Sequence, residues 1–121
     1  MPSTITGKST TVYERGDIVL LPFPFTDLSA TRTRPAVVVS VEGFQQETGD
    51  IMVAMLTSVP HTLTYDYQLQ DWQAANLLRP SWVRAKLATL SPSLVRYRPG
   101  RLSDADLSEV EQRIRLALGL A

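Results

Sequence analysis

The apolar positions of this chain fall into short runs separated by polar and proline-rich punctuation. "DIVLLP" (17–22), "PAVVVSV" (35–41) and "GDIMVAMLTS" (49–58) are rich in β-branched side chains and bounded by Gly, Pro or polar clusters, which predicts three strands. Their apolar character is nearly continuous instead of alternating, so these strands are covered on both faces or belong to a tightly curled sheet; the pattern allows either. "HTLTYDYQL" (61–69) alternates and predicts a fourth, more exposed strand, "SWVRAKLATL" (81–90) a fifth, and "YRPGRL" (97–102) a short pairing segment broken by its proline. "DWQAANLL" (71–78) reads as a turn or two of helix.

The period changes in the last segment, "SDADLSEVEQRIRLALGLA" (103–121). Leu107, Val110, Ile114 and Leu118 recur at helical spacing on one face, a stripe suited to core or subunit contact. Ser103 can cap this helix, with Asp106 three residues on as a variant of the capping box. Acids crowd its first half, Arg113 and Arg115 lie toward its end, and Gly119 suits the stop. The expected fold class is mainly β with a C-terminal helix (α+β), a small antiparallel sheet curled toward a barrel. At 121 residues the chain makes one domain, 1–121, with 1–14 expected as a flexible N-terminal extension.

Composition narrows the chemistry. With no cysteine, disulfides and thiolate metal sites are excluded, and a reducing cytoplasm is the natural compartment. No segment has the apolar length of a signal peptide core or a membrane span. A single histidine, no glycine-rich phosphate loop and no carboxylate pair at ligand spacing argue against metal-dependent and nucleotide hydrolysis; neither a metal nor a cofactor is expected.

The net charge is zero, yet the charges are segregated. Between Arg34 and Arg79 lie only acids, Glu42, Glu47, Asp50, Asp66 and Asp71; between Arg79 and Arg101 lie only bases, Arg84, Lys86, Arg96 and Arg98. Folded onto one face with Arg32 and Arg34, the basic stretch would hold phosphates; otherwise it is a scatter of solvated surface arginines. The remaining candidates sit where strands end. "PFPFTDLSATRTRP" (22–35) offers Phe23, Phe25, Thr26, Asp27, Ser29, Thr31, Arg32 and Arg34, and the third strand closes on Thr57, Ser58 and, beyond them, His61. Rings to stack on splayed bases, hydroxyls, and guanidinium forks for phosphate oxygens suit a single-stranded nucleic acid. The bland alternatives are equally concrete: the phenylalanines as core, Arg34 as an ion pair with Asp17 or Asp27, Thr57 as a β-former and His61 as an exposed loop residue.

"RGDIVLLPFPFTDLSATRTRPAVVVS", "DIMVAMLTS", "LLRPSWVRAKLATLSPSLV" and "GRLSDADLSEVEQRIRLALGL" together resemble the PemK/MazF toxins of type II toxin–antitoxin systems, in the branch carrying "PFPFTD", over nearly the whole chain after residue 14. That resemblance implies a barrel of the CcdB/MazF/Kid type, a homodimer, a cognate antitoxin partner, and metal-independent endoribonuclease action on single-stranded RNA by attack of the neighbouring 2′-hydroxyl. It implies Arg34 and Thr57 as the catalytic pair and Ser29 beside the substrate. Phe25, Thr26, Thr31, Arg32, Ser58, Trp82 and Arg84 are further candidate RNA contacts, and Asp27 and His61 candidate acid/base groups. The first loop departs from the better-known branch, with Ala30 and Thr31 where that branch has Glu-Gln and one residue fewer, so sequence preference does not carry over. Two other classes are compatible with such a barrel: a gyrase-binding CcdB-like toxin and a non-catalytic nucleic-acid-binding barrel.

Overall fold

A computed structural model describes residues 11–22 and 33–120. Six strands form one antiparallel sheet: β1 (Asp17–Pro22), β2 (Thr33–Val38), β3 (Ile51–Thr57), β4 (Tyr67–Gln68), β5 (Trp82–Leu90) and β6 (Tyr97–Arg101), in the order β4-β5-β3-β2-β1-β6. A short helix, α1 (Glu42–Thr48), links β2 to β3, and a long one, α2 (Asp104–Leu118), follows β6.

Both faces of the sheet are apolar, which resolves the ambiguity of the continuous runs. Ile18, Val37, Ala54, Leu56 and Val83 point to one face and pack with Leu69, Leu102 and Val110 of α2. The alternate residues, Val19, Leu21, Ala36, Val38, Ile51 and Val53, point to the other and pack with Tyr13. Adjacent residues of one strand thus belong to different clusters, so no polar position interrupts the pattern. Register shifts in the β3–β5 ladder between Ala54 and Leu56, and in the β1–β6 ladder between Ile18 and Leu20, bend the sheet into a curl.

The Gly16–Asp17 step opens β1 for a backbone reason. Gly16 has φ +96°, a conformation L side chains rarely adopt, while its N–H donates to Val38 O and its carbonyl accepts from Leu102 N. Asp17 Oδ2 accepts from Glu14 N at 2.9 Å and fixes the turn. Of the expected extension, residues 11–14 are described: Tyr13 is buried, its N–H donates to Gln45 Oε1, and Gln45 Nε2 donates to Thr11 O at 2.7 Å.

Several expectations change. β2 runs Thr33–Val38, not 35–41, and α1 stands where no element was expected. The fourth strand shrinks to Tyr67–Gln68, since only these residues pair with β5. Residues 72–76 form turns, not helix, and end at Asn76 with φ 64°. Ser103 does cap α2, accepting from Asp106 N, but the Asp106 carboxylate does not complete a capping box. It is 1% exposed and turns inward, where Oδ1 accepts from Tyr67 OH (2.7 Å) and Gln70 N, and Oδ2 from Asp71 N (2.8 Å). The helix stripe is graded as well: Val110 is buried, Leu107 and Ile114 half-buried, and Leu118 exposed.

Candidate active site

A cavity of about 790 Å³ opens where the ends of β1, β2 and β3 meet the 76–81 turn and β6. Leu20, Pro35, Leu56, Leu77 and Tyr97 give it apolar and aromatic walls; Arg34, Thr57, Ser58, Arg79, Asn76 and Ser81 supply polar groups. Such a mixture is the ordinary make-up of a ligand site, apolar for burial with a few polar groups for orientation.

Arg34 and Thr57 both line this cavity. The β2–β3 ladder pairs Ala36 with Met55, and extending that antiparallel register by two residues sets Arg34 across from Thr57. Each lies where its strand meets a loop, and each is half-buried. Thr57 Oγ1 accepts from Val59 N at 3.1 Å, a local bond that orients the hydroxyl and leaves its hydrogen to donate elsewhere.

The alternative ion pair of Arg34 with Asp17 is not formed. Asp17 Oδ1 instead faces Arg101 Nη1 at 3.2 Å and Arg98 Nη1 at 3.6 Å, and Arg101 also reaches Glu14 at 2.9 Å. Asp27, the other suggested partner, lies outside the described residues, as do Phe23, Phe25, Thr26, Ser29, Thr31 and Arg32. Among the described residues no carboxylate lies within salt-bridge distance of Arg34, and the cavity lining holds neither a carboxylate nor an imidazole.

The basic stretch does not form one patch. Arg84 is tied to the buried carboxylate of Asp66 at 3.2 Å, and Arg98 and Arg101 serve Asp17, so these three cations act within the fold. Of the stretch only Arg79 lines the cavity, with its residue exposed. Trp82 pairs with Thr57 across β3–β5 but, like Arg84 and His61, is not part of the lining; Ser58 is. The sequence reading missed Asn76, Leu77, Leu78, Ser81, Tyr97 and Pro99. The exposed aromatic of "YRPGR" beside two arginines was the one available signal.

Among the described residues no three His, Cys, Asp or Glu side chains converge as a metal site would require, and no helix is long and apolar enough to cross a membrane. Two tyrosines depart from the ordinary phenol pKa. Tyr67 is raised, by burial first and then by its hydrogen bond to Asp106. Tyr13 is raised by burial, partly offset by the nearby Arg98 charge.

Residues 14–118 match the family model of the PemK-like, MazF-like toxins of type II toxin–antitoxin systems. The chain therefore belongs to that family. Among solved structures it is similar to an endoribonuclease from Mycobacterial species in complex with its cognate antitoxin, at TM-score 0.76 and 19% identity over 90% of this chain and 97% of that one. It is also similar to a MazE–MazF complex from Deinococcus radiodurans, at TM-score 0.75 and 22% identity over 92% of this chain and 100% of the other. MazF alone from Deinococcus radiodurans gives TM-score 0.73 and 24% identity over 92% and 100%. At these identities the likeness speaks for the fold. A comparison with curated protein sequences returned no match.

Proposed function

We propose that the chain is an endoribonuclease that cuts single-stranded RNA at this cavity, with Arg34 and Thr57 acting on the scissile phosphate. The observation that carries the reading is that Arg34 and Thr57, from adjacent strands, line one cavity in which no described carboxylate neutralises the guanidinium. Structures similar in fold are named as endoribonucleases, which supports the same activity here.

The substrate's own 2′-hydroxyl attacks phosphorus, the bond to the 5′-oxygen breaks, and a 2′,3′-cyclic phosphate forms. One proton leaves the 2′-oxygen and one must reach the departing 5′-oxygen. Arg34 carries a delocalised guanidinium cation, a poor base and a strong electrostatic partner for the charge growing on the phosphoryl oxygens. The Thr57 hydroxyl donates to the same oxygens. Asp27 is the carboxylate nearest along the chain to Thr33 of the lining and is the proposed acceptor of the 2′-proton.

An RNA oligonucleotide with a single 2′-deoxy sugar on the 5′ side of the cut should bind and remain intact. Unmodified RNA should yield a cyclic phosphate or its 3′-phosphate product and a 5′-hydroxyl end, with excess chelator present. Products bearing a 5′-phosphate would show that water attacks and would remove the roles given to Arg34 and Thr57.

The proposal extends to a cytoplasmic homodimer restrained by a cognate antitoxin. Complexes with antitoxins among the similar structures support the partner. Leu116, Leu118 and Leu120 are each more than half exposed at the end of α2 and offer apolar area to a second copy. Sedimentation at micromolar concentration should give twice the 13.4 kDa chain mass; a monomer alone would exclude the dimer.

A further inference from the structure

The far wall of the cavity is built from segments distant from Arg34 in sequence, and it is held rigidly. Asn76, in the left-handed conformation, donates from Nδ2 to Pro99 O at 2.9 Å and ties the turn to β6. Gly100 completes the clamp, because a Cβ there would collide with the Ala75 carbonyl. Beside this clamp the β1–β6 register shifts by one residue, a device that re-aims a side chain. The side chain at that point is Tyr97, 62% exposed and part of the cavity wall, facing a turn that carries Leu77, the 94% exposed Leu78 and Arg79.

We propose that Tyr97 and the Asn76–Arg79 turn form a base-binding subsite, with Tyr97 as the platform on which the base next to the cleaved bond stacks. The inference rests on the endoribonuclease reading above. Leu20 pairs with Tyr97 on one side and with Pro35, next to Arg34, on the other. At ordinary strand spacing the Tyr97 and Pro35 backbones are then about 10 Å apart. Arg34 and Tyr97 line the same cavity, so a phosphate held at Arg34 leaves its neighbouring base beside the ring. An exposed ring adds nothing to folding, yet its π-face accepts any splayed base, and Leu78, 94% exposed in the same lining, adds apolar surface. Arg79 is then placed for the next phosphate along the strand.

The experiment uses the full chain and a labelled RNA oligonucleotide blocked by one 2′-deoxy sugar at the cut. A series carries a single abasic nucleotide at each position around it, and binding is read by fluorescence anisotropy. Wild-type protein should lose roughly 5- to 150-fold in affinity at one position, the range a single stacked base supplies. Tyr97→Ala should bind the parent oligonucleotide more weakly by a similar factor and show no further loss at that position, while losses elsewhere persist. Tyr97→Phe should behave as wild type, and with cleavable RNA Tyr97→Ala should raise KM while leaving kcat near wild type. Unchanged thermal melting of Tyr97→Ala is expected, since the ring is exposed. Additive losses at every position, or Tyr97→Ala binding like wild type, would overturn the subsite. So would a variant impaired only toward the antitoxin. Failure of the wild-type protein to bind or cut any unmodified RNA would overturn the endoribonuclease reading itself, and the subsite with it.

Discussion

The N-terminal turn of α2 and the mouth of the cavity both place a charged side chain among hydroxyls and backbone amides, and they treat it in opposite ways. Asp106 is withdrawn from water and given three donors: a phenol and two backbone N–H groups. Around it Ser103 Oγ donates to Asp71 Oδ2 at 2.7 Å, and Arg113 closes the far side, donating to Thr64 O and Asp66 O and lying 5.6 Å from the Tyr67 ring centroid. Arg34 is only half-buried, and among the described residues nothing neutralises it. A charge whose hydrogen bonds are completed inside the chain stabilises the fold; one left with open valence at a strand end is available to a substrate. The same test sorts the arginines: Arg84, Arg98 and Arg101 sit on carboxylates, while Arg34 and Arg79 face the cavity.

Substitutions can break that contrast at either end. Arg34→Ala should lower kcat on RNA by about 100- to 1,000-fold, the scale of losing one transition-state donor, and leave the melting temperature in place. Thr57→Ala should fall in the same direction by less, and His61→Ala, outside the cavity, should behave as wild type. If His61→Ala is as inactive as Arg34→Ala, the histidine is the base and the assignment of roles fails. Asp106→Ala should show the reverse pattern. Three donors lose a charged acceptor, and the chain should be destabilised by about 3 kcal/mol, roughly 10 °C in Tm, with activity retained at temperatures where it stays folded. A stable but inactive Asp106→Ala would erase the distinction.

The smallest effect concerns alkali. Burial and Asp106 raise the Tyr67 pKa, so above the ordinary phenol value of 10.0 the unfolded chain releases a proton that the folded chain retains. The stabilisation is complete below that value and declines as pH rises toward the folded-state pKa. Urea titrations from pH 8 to pH 11 should show stability falling for wild type and a shallower slope for Tyr67→Phe, with Tyr13 sustaining part of the remainder. Parallel slopes would mean that Tyr67 is ionised equally in both states.

The strands were legible because two-sided burial writes itself as continuous Val, Ile and Leu runs, and α2 because its period, cap and stop agree. α1 was not legible. "EGFQQET" has neither an apolar stripe nor a side-chain cap on Val41, and its buried residue, Gln45, is fixed by hydrogen bonds to a segment more than thirty residues earlier. "DWQAANLL" has helical composition but gives turns that end on the left-handed Asn76, whose side chain is bound to Pro99, a contact that arises only in the tertiary fold. Arg34 and Thr57 were reached through family resemblance, and their opposition follows from register. Tyr97 and Asn76 escaped notice because no local pattern announces that residues 20, 34, 57, 78 and 97 share one wall. Arg84 misled for the complementary reason: the charged residues near it in sequence are all basic, while Asp66 meets it from across the fold.

The sheet order also has a temporal side. β6 closes against β1, joining Asp17 to Arg101, so the last strand synthesised completes a ladder begun by the first. Pairings of such sequence separation form slowly, since a long loop must close before any contact rewards it. A chain still short of residue 97 lacks β6, and with it Tyr97, Pro99 and the anchor of the 76–79 turn. The cavity therefore comes into being as a whole, only once β6 has paired with β1, and a translation product of this toxin that stops short of residue 97 has no finished site.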